Sequence, residues 1–182
     1  GIKVIDSAGQ TKSLAESVED SHGVVLVPAF AGLGAPHWDP HTRGSVFGLT
    51  RGTTEAHLAR AALESVCFQT LDLIKAMQSD GIDINAIRVD GGMVANDWVC
   101  QCLADILDLN VVRPTVNEST ALGAAYLAGI QVGIYNDLSM LAAQNPIDKT
   151  FDSVMCVGDR NRKTKQWEAA IAATKLYTEQ SS

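Results

Sequence analysis

The sequence predicts an α/β fold with parallel strands, and three observations support this prediction. Apolar residues recur every three or four positions over residues 58–77, which is the pattern of a long amphipathic helix. A β-branched run at 87–89 leads through Gly91 and Gly92 into a second helical pattern, and a strand at 111–112 precedes a third. Because strands and helices that alternate along a chain build a parallel sheet, we expect the glycine turn at the carboxyl end of its strand, where such sheets bind ligands.

The part of the chain before the long helix is predicted to be peripheral and then loop-rich. Residues 1–22 suggest one short exposed helix, and residues 24–27 suggest a short buried strand that Pro28 ends. Residues 29–52 are dense in glycine, proline and aromatic residues, which indicates an irregular loop with one short strand at 45–49.

Residues that favour helix ends frame the predicted helices. Thr53 and Thr54 precede the long helix as N-cap candidates, and Ser119 and Thr120 precede the small-residue helix in the same way. Pro114 stops the strand before that helix. Beyond the long helix, further helices are expected over residues 96–107, 121–133, 138–143 and 165–177.

Charge and composition exclude several classes of function. The sequence has 14 Lys and Arg against 21 Asp and Glu, a net charge of −7, so it lacks the basic surface expected for a nucleic-acid or anionic-membrane partner. No apolar run approaches the ~20 residues of a membrane span. The four cysteines and four histidines show no metal-ligand spacing, so we expect no metal site, reduced thiols packed on helices, and a cytoplasmic protein.

The glycine turn is the main candidate for a ligand site. A strand, a turn without side chains and a helix N-terminus let the backbone approach an anionic ligand. Alone the signal is weak, since a glycine pair often marks only a tight turn and both the dinucleotide fingerprint and the P-loop motif are missing from the sequence. Asn96 either caps the second helix or hydrogen-bonds a purine edge through its amide.

Four other polar or aromatic positions have competing interpretations. Asp90, just before the turn, either contacts a ribose or metal-bound water or holds the turn itself. Trp38 and Asp39 either contact a ligand or anchor their loop, and a tryptophan more often anchors. Glu64 has no partner carboxylate along the long helix, so we expect it to be solvated or to have a capping role.

Four ordered blocks of the sequence resemble the FGGY carbohydrate kinases. The similarity runs from about Gly23 to Tyr135, and the blocks that carry it lie at residues 27–40, 44–64, 89–96 and 119–129. The resemblance implies a ribonuclease-H-like, actin-like ATPase fold, namely the C-terminal FGGY domain without its first strands. It also implies three parts: a peripheral segment (1–22), the domain core (23–135) and a C-terminal helical extension (136–182).

The family's chemistry is ATP-dependent phosphorylation of a polyol, so the resemblance implies ATP or ADP with Mg²⁺ as cofactors. The form of the loop at 33–36 favours glycerol as the acceptor, with a pentulose as the alternative. By the family's motif, Gly91 and Gly92 pass close to the sugar and phosphates of the nucleotide, with Met93 beside them, and Asn96 contacts the adenine. These four residues are the expected nucleotide-binding site.

The resemblance covers only part of the family's pattern. No residue here matches the aspartate general base, so no catalytic residue is expected in this chain, and the chain alone is expected to be inactive. The intact enzyme is expected to form a homo-oligomer, a dimer or tetramer. An alternative of another class is a non-catalytic module that binds a nucleotide or self-associates through unpaired strand edges. A dinucleotide-dependent module lacks its fingerprint.

Overall fold

A computed structural model describes residues 4–116, 118–137, 141 and 146–181 of the chain. The helices in these residues are α1 (Gln10–Glu16), α2 (Glu55–Ser79), α3 (Asp97–Leu107), α4 (Ser119–Gln131) and α5 (Val157–Ser181). The strands are β1 (Val25–Val27), β2 (Ser45–Phe47), β3 (Ala86–Arg88), β4 (Asn110–Pro114) and β5 (Ile147–Phe151). The predicted long helix and its two successors are confirmed, whereas the helix predicted at 138–143 falls largely outside the described residues.

The described strands form two small sheets. β1 and β2 pair antiparallel, whereas β3, β4 and β5 form a three-stranded sheet with β4 in the centre. β3 runs parallel to β4 with Ile87 opposite Val111, so the predicted parallel pair is confirmed. β5 pairs antiparallel with the other edge of β4. Strand β5 was not predicted from the sequence, because four of its five residues are exposed and only Phe151 is buried.

Helix α2 runs through the centre of the molecule and positions the glycine turn. It packs against α1 on one side and α3 on another, and α3 covers the sheet beside β4. Helix α5 lies against β1 and α3. It begins at Val157, well before the predicted start at 165, because the Cys156 thiol accepts a hydrogen bond from the Asp159 N–H at 3.4 Å and caps its first turn.

The prediction that Glu64 is solvated or has a capping role is wrong. Its side chain is only 7% exposed, and its Oε1 accepts a hydrogen bond from Lys163 Nζ on α5 at 2.9 Å. Arg60 Nε lies 3.4 Å from the same oxygen. Arg60 Nη1 also donates to the carbonyls of Ala15 and Val18. This ionic cluster therefore joins α2 to α5 and to the end of α1, contacts that no local sequence pattern reports.

Helix α1 packs on α2, and the Ala15 side chain is fully buried there. The division of the chain at 1–22, 23–135 and 136–182 stays a prediction. Three of the four thiols, Cys67, Cys100 and Cys102, are buried and free, as expected, whereas Cys156 is exposed. Across the described residues, no helix has both the length and the apolar character needed to cross a membrane.

Candidate functional site

The glycine turn connects the end of β3 to α3. The Val89 N–H donates to the Val112 carbonyl at 3.0 Å and extends the β3–β4 pairing by one residue. Gly91 then adopts φ 88° and ψ 174°, a conformation essentially restricted to glycine. A 3₁₀ turn follows over Gly92–Ala95, and α3 begins at Asp97. The chain therefore passes from the strand to the helix through one short 3₁₀ turn.

Gly92 and Met93 are the open part of this turn. A Cβ atom built on Gly92 would meet no atom of the described residues within 4 Å, so the backbone there is open. Met93 is 49% exposed, whereas the neighbouring Val94 is buried at 6%. The turn therefore presents bare backbone and one flexible apolar side chain on its outer side and is anchored to the core by Val94.

Asn96 fills the role of helix cap. Its Oδ1 accepts a hydrogen bond from the Trp98 N–H at 3.0 Å, which is the N-cap interaction at the start of α3. Because the Trp98 group is a donor, the amide oxygen must face it and the NH₂ group must point the other way. That NH₂ group donates to none of the residues that the structure describes. The cap and a ligand contact are therefore compatible, since they use different atoms of one amide.

A cavity of about 550 Å³ lies beside the turn. Gly92, Met93, Ala95 and Asn96 line one side of it, and Leu63 of α2 contributes to the wall. The remaining lining residues are Ala8 and Gly9, just before α1, and Thr11 and Lys12 in its first turn. Its volume is in the range of small-ligand sites, and its lining is largely apolar with few polar groups. The contribution of α1 to this cavity was not predicted from the sequence.

An ionic cluster supports the turn from the sheet side. Arg113 of β4 donates through Nη1 to the Val94 carbonyl at 2.8 Å and to Asp97 Oδ1 at 2.7 Å. Lys149 Nζ donates to the other oxygen of Asp97 at 2.8 Å. These hydrogen bonds, from Lys149 and then Arg113, lower the pKa of Asp97. Arg113 was not predicted from the sequence, although it directly follows the strand predicted at 111–112 and an arginine is rarely buried without a partner.

The other candidate residues lie apart from the cavity lining. Asp90 is exposed and makes no hydrogen bond or ion pair with the described residues, so holding the turn is not its role. Asp39 is the anchor of its loop: its carboxylate accepts hydrogen bonds from Thr42 and from the His41 N–H, and these bonds lower its pKa. Trp38 is 76% exposed, so the expectation that the tryptophan anchors the loop is wrong. Within the described ranges, no three His, Cys, Asp or Glu side chains are placed to hold a metal ion.

The two glycines of the turn are expected to respond differently to alanine. Gly91→Ala places a Cβ on a backbone at φ 88° and is expected to lower the free energy of unfolding by about 1–3 kcal/mol. Gly92→Ala puts its Cβ in open space, outside the left-handed region, and is expected to change stability by less than about 0.5 kcal/mol. Urea unfolding of both variants measures this difference, and equal losses would contradict the backbone conformation described.

Comparison with known proteins gives consistent matches. The family model described as the FGGY family of carbohydrate kinases, C-terminal domain, matches residues 2–132. A glycerol kinase of Solidesulfovibrio magneticus is 49% identical over 180 residues, which is 98% of this chain and 36% of that protein. A glycerol kinase of Rhodospirillum centenum is 50% identical over 175 residues, which is 96% of this chain and 35% of that protein. The chain therefore spans only about a third of the length of these relatives.

Solved structures show the same likeness. The crystal structure of Plasmodium falciparum glycerol kinase with ADP matches with a TM-score of 0.83 and 36% sequence identity, over 94% of this chain and 34% of that one. A gluconate kinase from Lactobacillus acidophilus matches with a TM-score of 0.78 at 24% identity, over 97% of this chain and 36% of that one, and shows the fold alone.

Proposed function

Since the chain belongs to the FGGY family of carbohydrate kinases and has the ribonuclease-H-like, actin-like fold of its C-terminal domain, we propose that it is the adenine-binding part of an ATP-dependent glycerol kinase. The whole enzyme would transfer the γ-phosphate of ATP to glycerol and release ADP and glycerol 3-phosphate. In this proposal Gly91 and Gly92 pass close to the nucleotide's sugar and phosphates, with Met93 beside them, and Asn96 donates to the adenine.

One observation carries the nucleotide proposal. The cavity beside the turn brings together bare backbone at Gly92, an Asn96 amide NH₂ that donates to no described residue, and apolar side chains at Met93 and Leu63. A purine base has apolar faces and hydrogen-bonding edges, so this combination fits it. The similar Plasmodium falciparum glycerol kinase was crystallised with ADP, which is consistent with the same ligand class.

The chemistry of phosphoryl transfer explains why this chain alone would be inactive. Transfer requires in-line positioning of the acceptor and stabilisation of charge from both sides of the γ-phosphate. We propose that the general base and the polyol-binding residues belong to the two thirds of the relatives' length that this chain does not span. We further propose Mg²⁺ carried with the nucleotide phosphates, a homo-oligomeric whole enzyme and a cytoplasmic location.

Calorimetric titration with ADP tests the nucleotide site directly. The chain is expected to bind ADP, and Asn96→Ser is expected to weaken binding about three- to tenfold, because serine keeps the helix cap but loses the NH₂ donor. Asn85→Ser is the matched control, since Asn85 lies before β3 and, within the described part of the chain, its side chain donates to Asp83 alone. No binding at millimolar ADP would overturn the nucleotide-site proposal, whereas unchanged affinity in Asn96→Ser would reduce Asn96 to a cap.

The acceptor is tested separately on the full-length gene product. Phosphoryl transfer from ATP is measured with glycerol, xylulose and ribulose in parallel. Transfer to glycerol supports the proposed acceptor, and transfer only to a pentulose, or none, overturns it. The 182-residue chain in the same assay is expected to show no transfer, and turnover by the chain alone would contradict the proposed division of labour.

A further inference from the structure

Helix α3 holds the Asn96 amide through its oxygen, which accepts the hydrogen bond from the Trp98 N–H. The 3₁₀ turn before Asn96 is short, and it is joined to the residues on either side by Val94 N–H to Gly91 O at 3.3 Å and Asn96 N–H to Met93 O at 3.1 Å. Hydrogen bonds of this type have poorer geometry than those of an α-helix. Because a glycine at φ 88° lies directly upstream, we expect the turn to depend on contacts from another part of the chain to keep one conformation.

Arg113 supplies such contacts through hydrogen bonds on both sides of Asn96. One nitrogen, Nη1, donates to the carbonyl two residues before Asn96 and to the carboxylate one residue after it. The guanidinium is held in turn by Asp148, whose Oδ2 lies 2.9 Å from Nε. The Arg113 side chain is only 11% exposed and projects from β4, the central strand of its sheet. A planar guanidinium fixed at three points is a rigid support.

The geometry points to Arg113 as a positioning residue for nucleotide binding, which acts by fixing the backbone on either side of Asn96 and therefore the direction of the Asn96 NH₂ group. This inference rests on the proposed nucleotide site. Arg113 is not among the residues that line the cavity, so it does not itself contact a ligand there. It acts through Val94 and Asp97, because a ligand contact is effective only when the residues around it hold its geometry.

Arg160 offers a matched control at the opposite end of the same helix. Its side chain is 13% exposed, its Nε donates to the Asp105 carbonyl at 2.7 Å, and it pairs with Asp108 just beyond α3. Arg113→Gln and Arg160→Gln therefore each remove a largely buried arginine that anchors one end of α3. Both are expected to lower stability in urea unfolding, but only the first disturbs the end that carries Asn96.

The test is ADP affinity combined with the NMR resonances of the Asn96 side-chain NH₂ group in the same chain. Arg113→Gln is expected to raise the Kd for ADP about three- to tenfold, the effect of losing roughly one hydrogen bond, and to shift the Asn96 resonances. Arg160→Gln is expected to leave both unchanged. In an Asn96→Ser background, Arg113→Gln is expected to add no further loss of affinity.

Each outcome decides the inference. The inference is overturned if Arg113→Gln binds ADP with normal affinity, or if Arg160→Gln weakens ADP binding equally. It is also overturned if the losses of affinity in Arg113→Gln and Asn96→Ser add fully in the double variant. None of these three outcomes contradicts the proposed nucleotide site. Failure of the unmodified chain to bind ADP overturns the proposed site and this inference together. Should Arg113→Gln not fold, Asp97→Asn weakens the same contacts from their half-exposed end and is expected to weaken ADP binding in the same direction, and unchanged affinity there counts against the inference.

Discussion

Replacing Glu64 by leucine is expected to lower the free energy of unfolding by about 3–5 kcal/mol, the cost of removing one partner from a buried ion pair. The carboxylate lies between Lys163 Nζ at 2.9 Å and Arg60 Nε at 3.4 Å, in a site where both Glu64 and Lys163 are almost fully enclosed. Without it, the Lys163 ammonium has no ion-pair or hydrogen-bond partner among the described residues and must be buried without one or displaced. Urea unfolding of the chain measures the loss.

The same two helices supply the control for this prediction. Lys75 and Glu168 form an ion pair at 2.7 Å between α2 and α5, but their side chains are 45% and 53% exposed. Lys75→Met is therefore expected to cost no more than about 1 kcal/mol. The double variant Glu64→Leu with Lys163→Met is expected to recover much of the loss, since two apolar side chains can replace a buried pair. A loss in Glu64→Leu no larger than that in Lys75→Met would count against the burial described.

Trp167→Ala is expected to be the other severe variant, with a loss of about 3–5 kcal/mol. Trp167 is 1% exposed and stacks on Phe68 of α2 with ring centroids 5.4 Å apart. Its indole N–H also donates to Asp72 Oδ2 at 2.8 Å. Truncation would thus open a cavity between α2 and α5 and remove a hydrogen bond together. The change is measured as the shift in urea midpoint.

Two further variants provide a control for Trp167→Ala and separate the packing of the indole ring from its hydrogen bond. Tyr177→Ala removes an aromatic ring that is 71% exposed on the same helix, and it is expected to change stability by less than about 0.5 kcal/mol. Trp167→Phe keeps most of the packing and loses the donor to Asp72, for an expected cost of about 1–2 kcal/mol. A Trp167→Ala variant with unchanged stability would mean that α5 does not depend on this contact with α2.

Sequence patterns predicted the elements whose cause is local. The apolar stripe over α2 and the N-cap position of Asn96 follow from the periodicity and preferences of neighbouring residues. β5 escaped because its sequence has little strand signal and its order comes from pairing with β4. The burial of Glu64 escaped for a related reason, since its partner Lys163 lies 99 residues away.

The candidate site divides along the same line. Gly91, Gly92, Met93 and Asn96 form one contiguous segment, so a motif is enough to bring them together, and their role in nucleotide binding stays a prediction. The part of the cavity wall that α1 contributes and the support from Arg113 depend on how distant segments pack. A pattern within one segment cannot report either, because the residues concerned carry no spacing in common.

The cap at Asn96 has a consequence for base selectivity. An asparagine amide normally offers a donor and an acceptor and can rotate to exchange them, which makes it tolerant of different partners. Here rotation would leave the Trp98 N–H facing an NH₂ group, so the start of α3 locks the amide in one orientation. A ligand in the proposed site would therefore meet a donor only. A base that presents an N–H at that point would bind poorly, because two donors would face each other. The hydrogen bond that caps the helix would therefore also select between bases.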